Sequence, residues 1–118
     1  MKKLLLTLII SITLLSASDF INDGAVLTID EGCTVTMDGD FEGTGTVELN
    51  GTLQISGVLG DIETIDQGNS SLVQFTGDGQ TIPADWYKNI LLSGGGTKLL
   101  GGYVMLQYEL TIEEGALD

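Results

Sequence analysis

The side chains best equipped for chemistry in this 118-residue sequence are its carboxylates, with 17 Asp and Glu against 4 Lys and no His. Asp38-Gly39-Asp40-Phe41-Glu42-Gly43 places three acids at alternating positions ahead of a glycine. That is the first half of a calcium loop, in which oxygens at alternate positions converge on one hard cation. Calcium held by Asp38, Asp40 and Glu42 is therefore the candidate cofactor; no other cofactor is indicated. The second half of such a loop is missing, because its last ligand position falls on Leu49 instead of a bidentate Glu. A solvated acidic turn accounts for the same run without an ion. The other handle for a ligand is aromatic. Trp86 and Tyr87 stand together just after Pro83 and beside Lys88, so an exposed ring with polar neighbours there would make a sugar platform. The competing reading packs one ring under a corner and lays the other on a flank.

Catalytic sets fail on composition. Without histidine there is no nucleophile–base triad, and the lone Cys33 has no base beside it. Its place in an alternating strand pattern marks it as a buried thiol. Gly94-Gly95-Gly96-Thr97-Lys98 is glycine-rich, but it lacks P-loop spacing and no helix follows it. Two carboxylates alone can hydrolyse a glycoside across a cleft, yet a short stack without large insertions offers little cleft. The chain reads as a non-enzyme; a fragment of a polysaccharide-degrading β-helix is the weakest alternative. A net charge of −13 and the absence of arginine also exclude phosphate-rich partners, both nucleic acid and anionic membrane.

The elements that must position these residues are strands. Leu27 and Ile29 alternate with Thr28; Cys33, Val35 and Met37 with Thr34 and Thr36; Leu53 and Ile55 flank Gln54; Val73 and Phe75 flank Gln74. Ile90 and Leu92, then Leu110 and Ile112, continue the pattern. Glycines such as Gly32, Gly39, Gly57 and Gly94 to Gly96 interrupt the runs, and nothing after residue 18 carries a helical period. Many short strands with glycine turns suit either a sandwich or a solenoid. Internal repetition favours the solenoid: Leu27-Thr28-Ile29-Asp30-Glu31-Gly32 returns as Leu110-Thr111-Ile112-Glu113-Glu114-Gly115. The expected fold is all-β, a right-handed parallel β-helix, with a β-sandwich as the alternative. Cutting at the repeats gives about four coils, near 25–44, 45–70, 71–96 and 97–118. Uncapped coil ends expose open edges, which predicts self-association through them. The sequence reaches Leu117-Asp118 straight after the returning motif, as the opening of a longer repeat protein or a truncated frame would.

Residues 1–18 read as an export signal. Lys2 and Lys3 precede an uncharged run from Leu4 to Leu15, and Ser16-Ala17-Ser18 offers small residues for cleavage before Asp19. The run is shorter than the roughly 20 residues that span a bilayer. Domain organisation is then a signal peptide at 1–18 and a repeat module at 19–118, secreted or at the cell surface. Cleavage removes two of the lysines and leaves the module more acidic still.

Phe75-Thr76-Gly77-Asp78-Gly79-Gln80-Thr81-Ile82-Pro83, continuing through Tyr87-Lys88-Asn89-Ile90-Leu91-Leu92-Ser93-Gly94-Gly95-Gly96-Thr97-Lys98-Leu99-Leu100, resembles one unit of the secreted bacterial β-helix repeat proteins described as adhesin-like. The likeness covers residues 45 to 115. Ile90 stands where a Leu is usual, and Tyr108-Glu109 replaces Gly-Thr before Leu110. What the resemblance implies is export and a structural or adhesive role, with surface glycans or proteins as partners. The expected function is a secreted, non-catalytic structural and interaction module. The alternative is a carbohydrate-binding module, calcium-assisted at the acidic run.

Overall fold

The computed structural model describes residues 7–10, 14–17 and 19–118, and the side chains of 19–60 and 65–118. Its elements are strands: β1 (Thr7–Ile10), β2 (Leu14–Ala17), β3 (Phe20–Asn22), β4 (Val26–Ile29), β5 (Thr34–Met37), β6 (Phe41–Leu49), β7 (Thr52–Ile55), β8 (Leu59–Gln67), β9 (Leu72–Phe75), β10 (Thr81–Ile82), β11 (Trp86–Leu92), β12 (Thr97–Leu100), β13 (Met105–Ile112) and β14 (Ala116–Leu117). There is no helix among the described residues. Every strand pair among the described residues is parallel. Hairpins join antiparallel strands, so wholly parallel pairing excludes the sandwich and requires a chain that winds. The result is a β-solenoid of about five turns.

Three ladders run along the stack: β1-β4-β6-β3 with β8 also on β6, β10-β12-β14, and β13-β11-β9-β7-β5-β2. The last shows how the sequence pattern builds the core. Val35 lies against Leu53, Leu53 against Val73, Val73 against Ile90, and Ile90 against Leu110, each one coil on. Met37, Ile55, Phe75 and Leu92 form the neighbouring column, and all four are buried. Two residues along a strand return to the same face, so alternating aliphatics give two such columns per sheet. Each fully buried aliphatic stabilises the stack by about 1.5–3 kcal/mol. The outward residues between these columns form a polar ladder. Thr36 donates to Gln54 at 2.9 Å, Gln54 to Gln74 at 2.8 Å, and Gln74 to Ser93 at 2.9 Å.

The corners need glycine where the chain presses on the coil before. β6 pairs with β3 at its start and β4 at its end, bending between them with register shifts around Gly43. Gly43 has φ of 131°, and a Cβ there would collide with the Asn22 carbonyl oxygen. Asn22 is buried in that corner, donating to Thr46 O at 3.3 Å and accepting from Ala25 N at 3.0 Å.

The coil length expected from the sequence needs correction. Paired residues are 17 to 21 positions apart, so the coils are shorter and more numerous than the four cut at the repeats. The repeated Leu-Thr-Ile copies misled because they sit in different ladders: Leu27 to Ile29 in β4, Leu110 to Ile112 in β13. What recurs is a strand running into a glycine corner, with φ of 81° at Gly32 and 90° at Gly115, and each coil has several corners. β1 and β2 lie inside the segment read as an export signal. In the unprocessed chain they pair with β4 and β5, Leu8 against Leu27 and Leu15 against Val35. Lys2, Lys3 and the cleavage position Ser18 lie outside the described residues.

Candidate functional site

Trp86 opens β11, where the chain leaves the Pro83 corner. Its backbone NH donates to the Asp85 carboxylate at 2.7 Å, and its ring is 46% exposed. The next residue points inward. Tyr87 is completely buried, edge-on to Phe75 at 6.1 Å between ring centroids, with its hydroxyl donating to Pro83 O at 2.9 Å. Burial, helped by the nearby Asp85 carboxylate, pushes the Tyr87 phenol well above its ordinary pKa. As a ligand residue Tyr87 is therefore a correction to the sequence reading: its ring is core, and only Trp86 of the pair faces out.

Lys88, on the same strand, links Trp86 to a ring of the next coil. Lys88 Nζ lies 4.7 Å from the Trp86 ring centroid and 5.6 Å from that of Tyr108 on β13. It also donates to Gln107 Oε1 at 2.6 Å. Gln107 Nε2 donates to the Tyr108 hydroxyl at 3.2 Å, which donates to Asn69 Oδ1 at 3.3 Å. Beneath, Gln67 extends the β8 ladder with its side chain: Nε2 donates to Trp86 O at 2.6 Å and Oε1 accepts from Lys88 N at 3.0 Å. The backbone carrying both Trp86 and Lys88 is thus held by one side-chain amide. A register shift between Tyr87 and Asn89 lets β11 turn both Trp86 and Lys88 outward before its alternation resumes.

The platform continues into a groove. Asn69 is followed by Ser70 and Tyr108 by Glu109, and those two following residues line a hollow of about 410 Å³ with Leu72, Asn89, Leu91 and Thr111. Thr111 Oγ1 donates to Glu109 Oε1 at 2.8 Å, and Asn89 Nδ2 to Ser71 O at 2.9 Å. Its lining mixes leucine side chains with amide, hydroxyl and carboxylate groups. Neither Tyr108 nor this groove was identified from sequence. Adding one coil of 19 or 20 residues to Trp86 and Asn89 reaches Met105 and Glu109, which is the signal that finds them.

The acidic run is arranged differently. Asp38 Oδ1 accepts from Ser56 Oγ at 3.1 Å, and Asp40 Oδ1 accepts from Val58 N at 2.8 Å. Asp40 N donates to Asp19 Oδ1 at 2.9 Å, while Glu42 is exposed on β6. Two of the carboxylates tie their corner to the following coil, and no group of three acids, thiols or imidazoles placed to hold a metal occurs among the described residues. Asp38, Asp40 and Glu42 are not brought together as the calcium reading requires. Cys33 is a free, buried thiol.

Lys98 explains the glycine-rich run before it. It is fully buried and donates to Gly77 O at 2.7 Å and to Gly95 O at 2.9 Å. Gly94, Gly95 and Gly96 all have positive φ and wrap the ammonium. The run is a corner closed on a lysine rather than a phosphate cradle. Comparison with known proteins finds no matching family model, no matching curated sequence and no matching solved structure.

Proposed function

We propose that the chain is a secreted, non-catalytic structural and interaction module: a β-solenoid segment that serves cell-surface adhesion, as in the adhesin-like repeat proteins that residues 45 to 115 resemble. The observation that carries this reading is the unbroken stack itself. Buried aliphatic columns fill the coils from Leu27 to Leu92 and leave the outer faces as a rigid display of Thr, Gln, Ser and carboxylates. Polar groups that often do chemistry are committed to holding that stack. Cys33 is buried, Lys98 is spent on carbonyls, and Asp38 and Asp40 on the next coil.

Export supplies the compartment for such a role. Cleavage before Asp19 would take β1 and β2 away and free the edges of β4 and β5, where a second copy of the module can pair. The test is expression of the full sequence in a bacterial host. Mass spectrometry of the extracellular or surface-shaved product should give a chain beginning at Asp19, and cells carrying it should adhere better than cells without it. An intact N-terminus in a cytoplasmic product, or equal adhesion, would overturn the reading.

A further inference from the structure

Among the described residues of this acidic chain Lys88 has no carboxylate partner, and takes two ring faces and an amide oxygen instead. The surface around it is built from Trp86, Tyr108, Gln107 and Asn69, all neutral. Two partly exposed rings, from successive coils, share one cation between them. This brings apolar ring area to the surface and fixes it, since each ring is held by the lysine and Tyr108 also by Gln107 and Asn69. An exposed ring in an amide setting favours a partner with both a C–H face and hydroxyl groups. The adjoining groove repeats that chemistry, lined by Leu72 and Leu91 together with Asn89, Thr111 and Glu109.

We propose that the Trp86–Tyr108 surface and the groove beside it bind a neutral polysaccharide. Sugar rings stack by their C–H faces on Trp86 and Tyr108, and the chain continues past Asn69 into the groove. There, hydroxyl groups donate to Glu109 and exchange hydrogen bonds with Asn89 and Thr111. The charge selects against acidic polymers: Glu109 and Glu113 line the groove, and the whole chain carries −13. Lys88 is a single positive charge and offsets little of this. Fixed rings lose little freedom on binding, which favours a platform of this kind.

The proposal stands independently of export and is tested on the full-length chain. Trp86 is the sole tryptophan, so its fluorescence reports the site directly. Soluble neutral glucans, mannans, galactans and xylans are titrated beside polygalacturonate and alginate, and affinity electrophoresis is run in gels containing each polymer. The expected result is a saturable fluorescence change and retarded migration with at least one neutral polymer, insensitive to added salt. Trp86→Ala should weaken retardation by about ten-fold or more, and Tyr108→Ala should weaken it less. Both rings are exposed enough for the variants to keep the wild-type melting temperature, and Tyr103→Ala, at a separate exposed ring, should bind as wild type. No response to any neutral polymer, undiminished binding by a folded Trp86→Ala variant, or preference for the acidic polymers would each overturn the proposal.

Discussion

Gln80 offers the sharpest test of how the coils are held. It is buried at a corner, and its Nε2 donates to Ile55 O at 2.9 Å and Gly57 O at 2.7 Å, both on the preceding coil. Its Oε1 accepts from Gly77 N at 2.9 Å. Gln80→Met keeps the bulk and removes all three bonds. The Ile55 carbonyl keeps its bond from Thr76 N at 2.9 Å, so each of the three lost bonds costs about 0.5–1.5 kcal/mol. The expected loss is about 1.5–4.5 kcal/mol, a sizeable share of the roughly 5–15 kcal/mol that holds a domain together. Gln80→Glu separates geometry from charge. It keeps the acceptor for Gly77 but aims a carboxylate oxygen at two carbonyl oxygens, so its folded pKa must rise above the ordinary value of about 4.3. A raised folded pKa contributes stability that is fully present below the unfolded value and lost as pH rises through the folded one. Relative to wild type at the same pH, Gln80→Glu should therefore lose far more stability at pH 8 than at pH 4, whereas the deficit of Gln80→Met should not change. Urea melts followed by circular dichroism at both pH values measure this. Equal losses at the two pH values, or wild-type stability of Gln80→Glu at pH 8, would refute the corner-staple argument.

Two further expectations rest on buried groups. The Tyr87 phenol, raised by burial, keeps its proton in the folded state, so its contribution is intact below about pH 10 and lost as pH rises toward the folded pKa. Alkaline unfolding should therefore be steeper in wild type than in Tyr87→Phe, which also gives up the bond to Pro83 O and loses about 0.5–1.5 kcal/mol at neutral pH; parallel alkaline curves would count against this. Cys33, only 7% exposed, should react with a thiol reagent at a rate that tracks unfolding, accelerating steeply in denaturant. Rapid stoichiometric labelling of the native chain would place the thiol outside the core.

The alternation of Val35, Leu53, Val73 and Ile90 with polar residues was enough to read strands, and internal repetition enough to favour a solenoid over a sandwich. The length of a coil was not legible. Glycines mark corners, and every coil has several, so counting between similar corners such as Gly32 and Gly115 does not count coils. The candidate site was half legible for a related reason. Trp86 and Tyr87 look equivalent in sequence, and strict alternation says only that one faces in. Which one depends on the β11 register, shifted between Tyr87 and Asn89. Tyr108 is invisible as a partner until the coil length is known. Lys98 was not placed from the sequence, where it appears only as the end of a glycine-rich run. Only the convergence of the Gly77 and Gly95 carbonyls makes its burial favourable.

Those corner contacts share a chemistry that bears on the binding surface. Parallel strands leave backbone groups unmatched wherever the path bends, and an unmatched buried group is costly. In this chain Asn22, Gln80, Asn89 and Lys98 supply the missing donors from side chains, each reaching a backbone carbonyl of a neighbouring turn. A carboxylate cannot donate, so where carbonyls must be met the acidic composition gives way to amides and one lysine. Gln67 belongs to the same set, and what it holds is the backbone of Trp86 and Lys88. The amide setting of the surface around Trp86 follows from this. It lies where one ladder gives out and side-chain amides take over, with the Asp85 carboxylate turned to the Trp86 backbone NH and Glu109 in the adjoining groove. Rings set among amides, with carboxylates close by in an acidic module, repel an anionic ligand, and this is why the proposal names a neutral one.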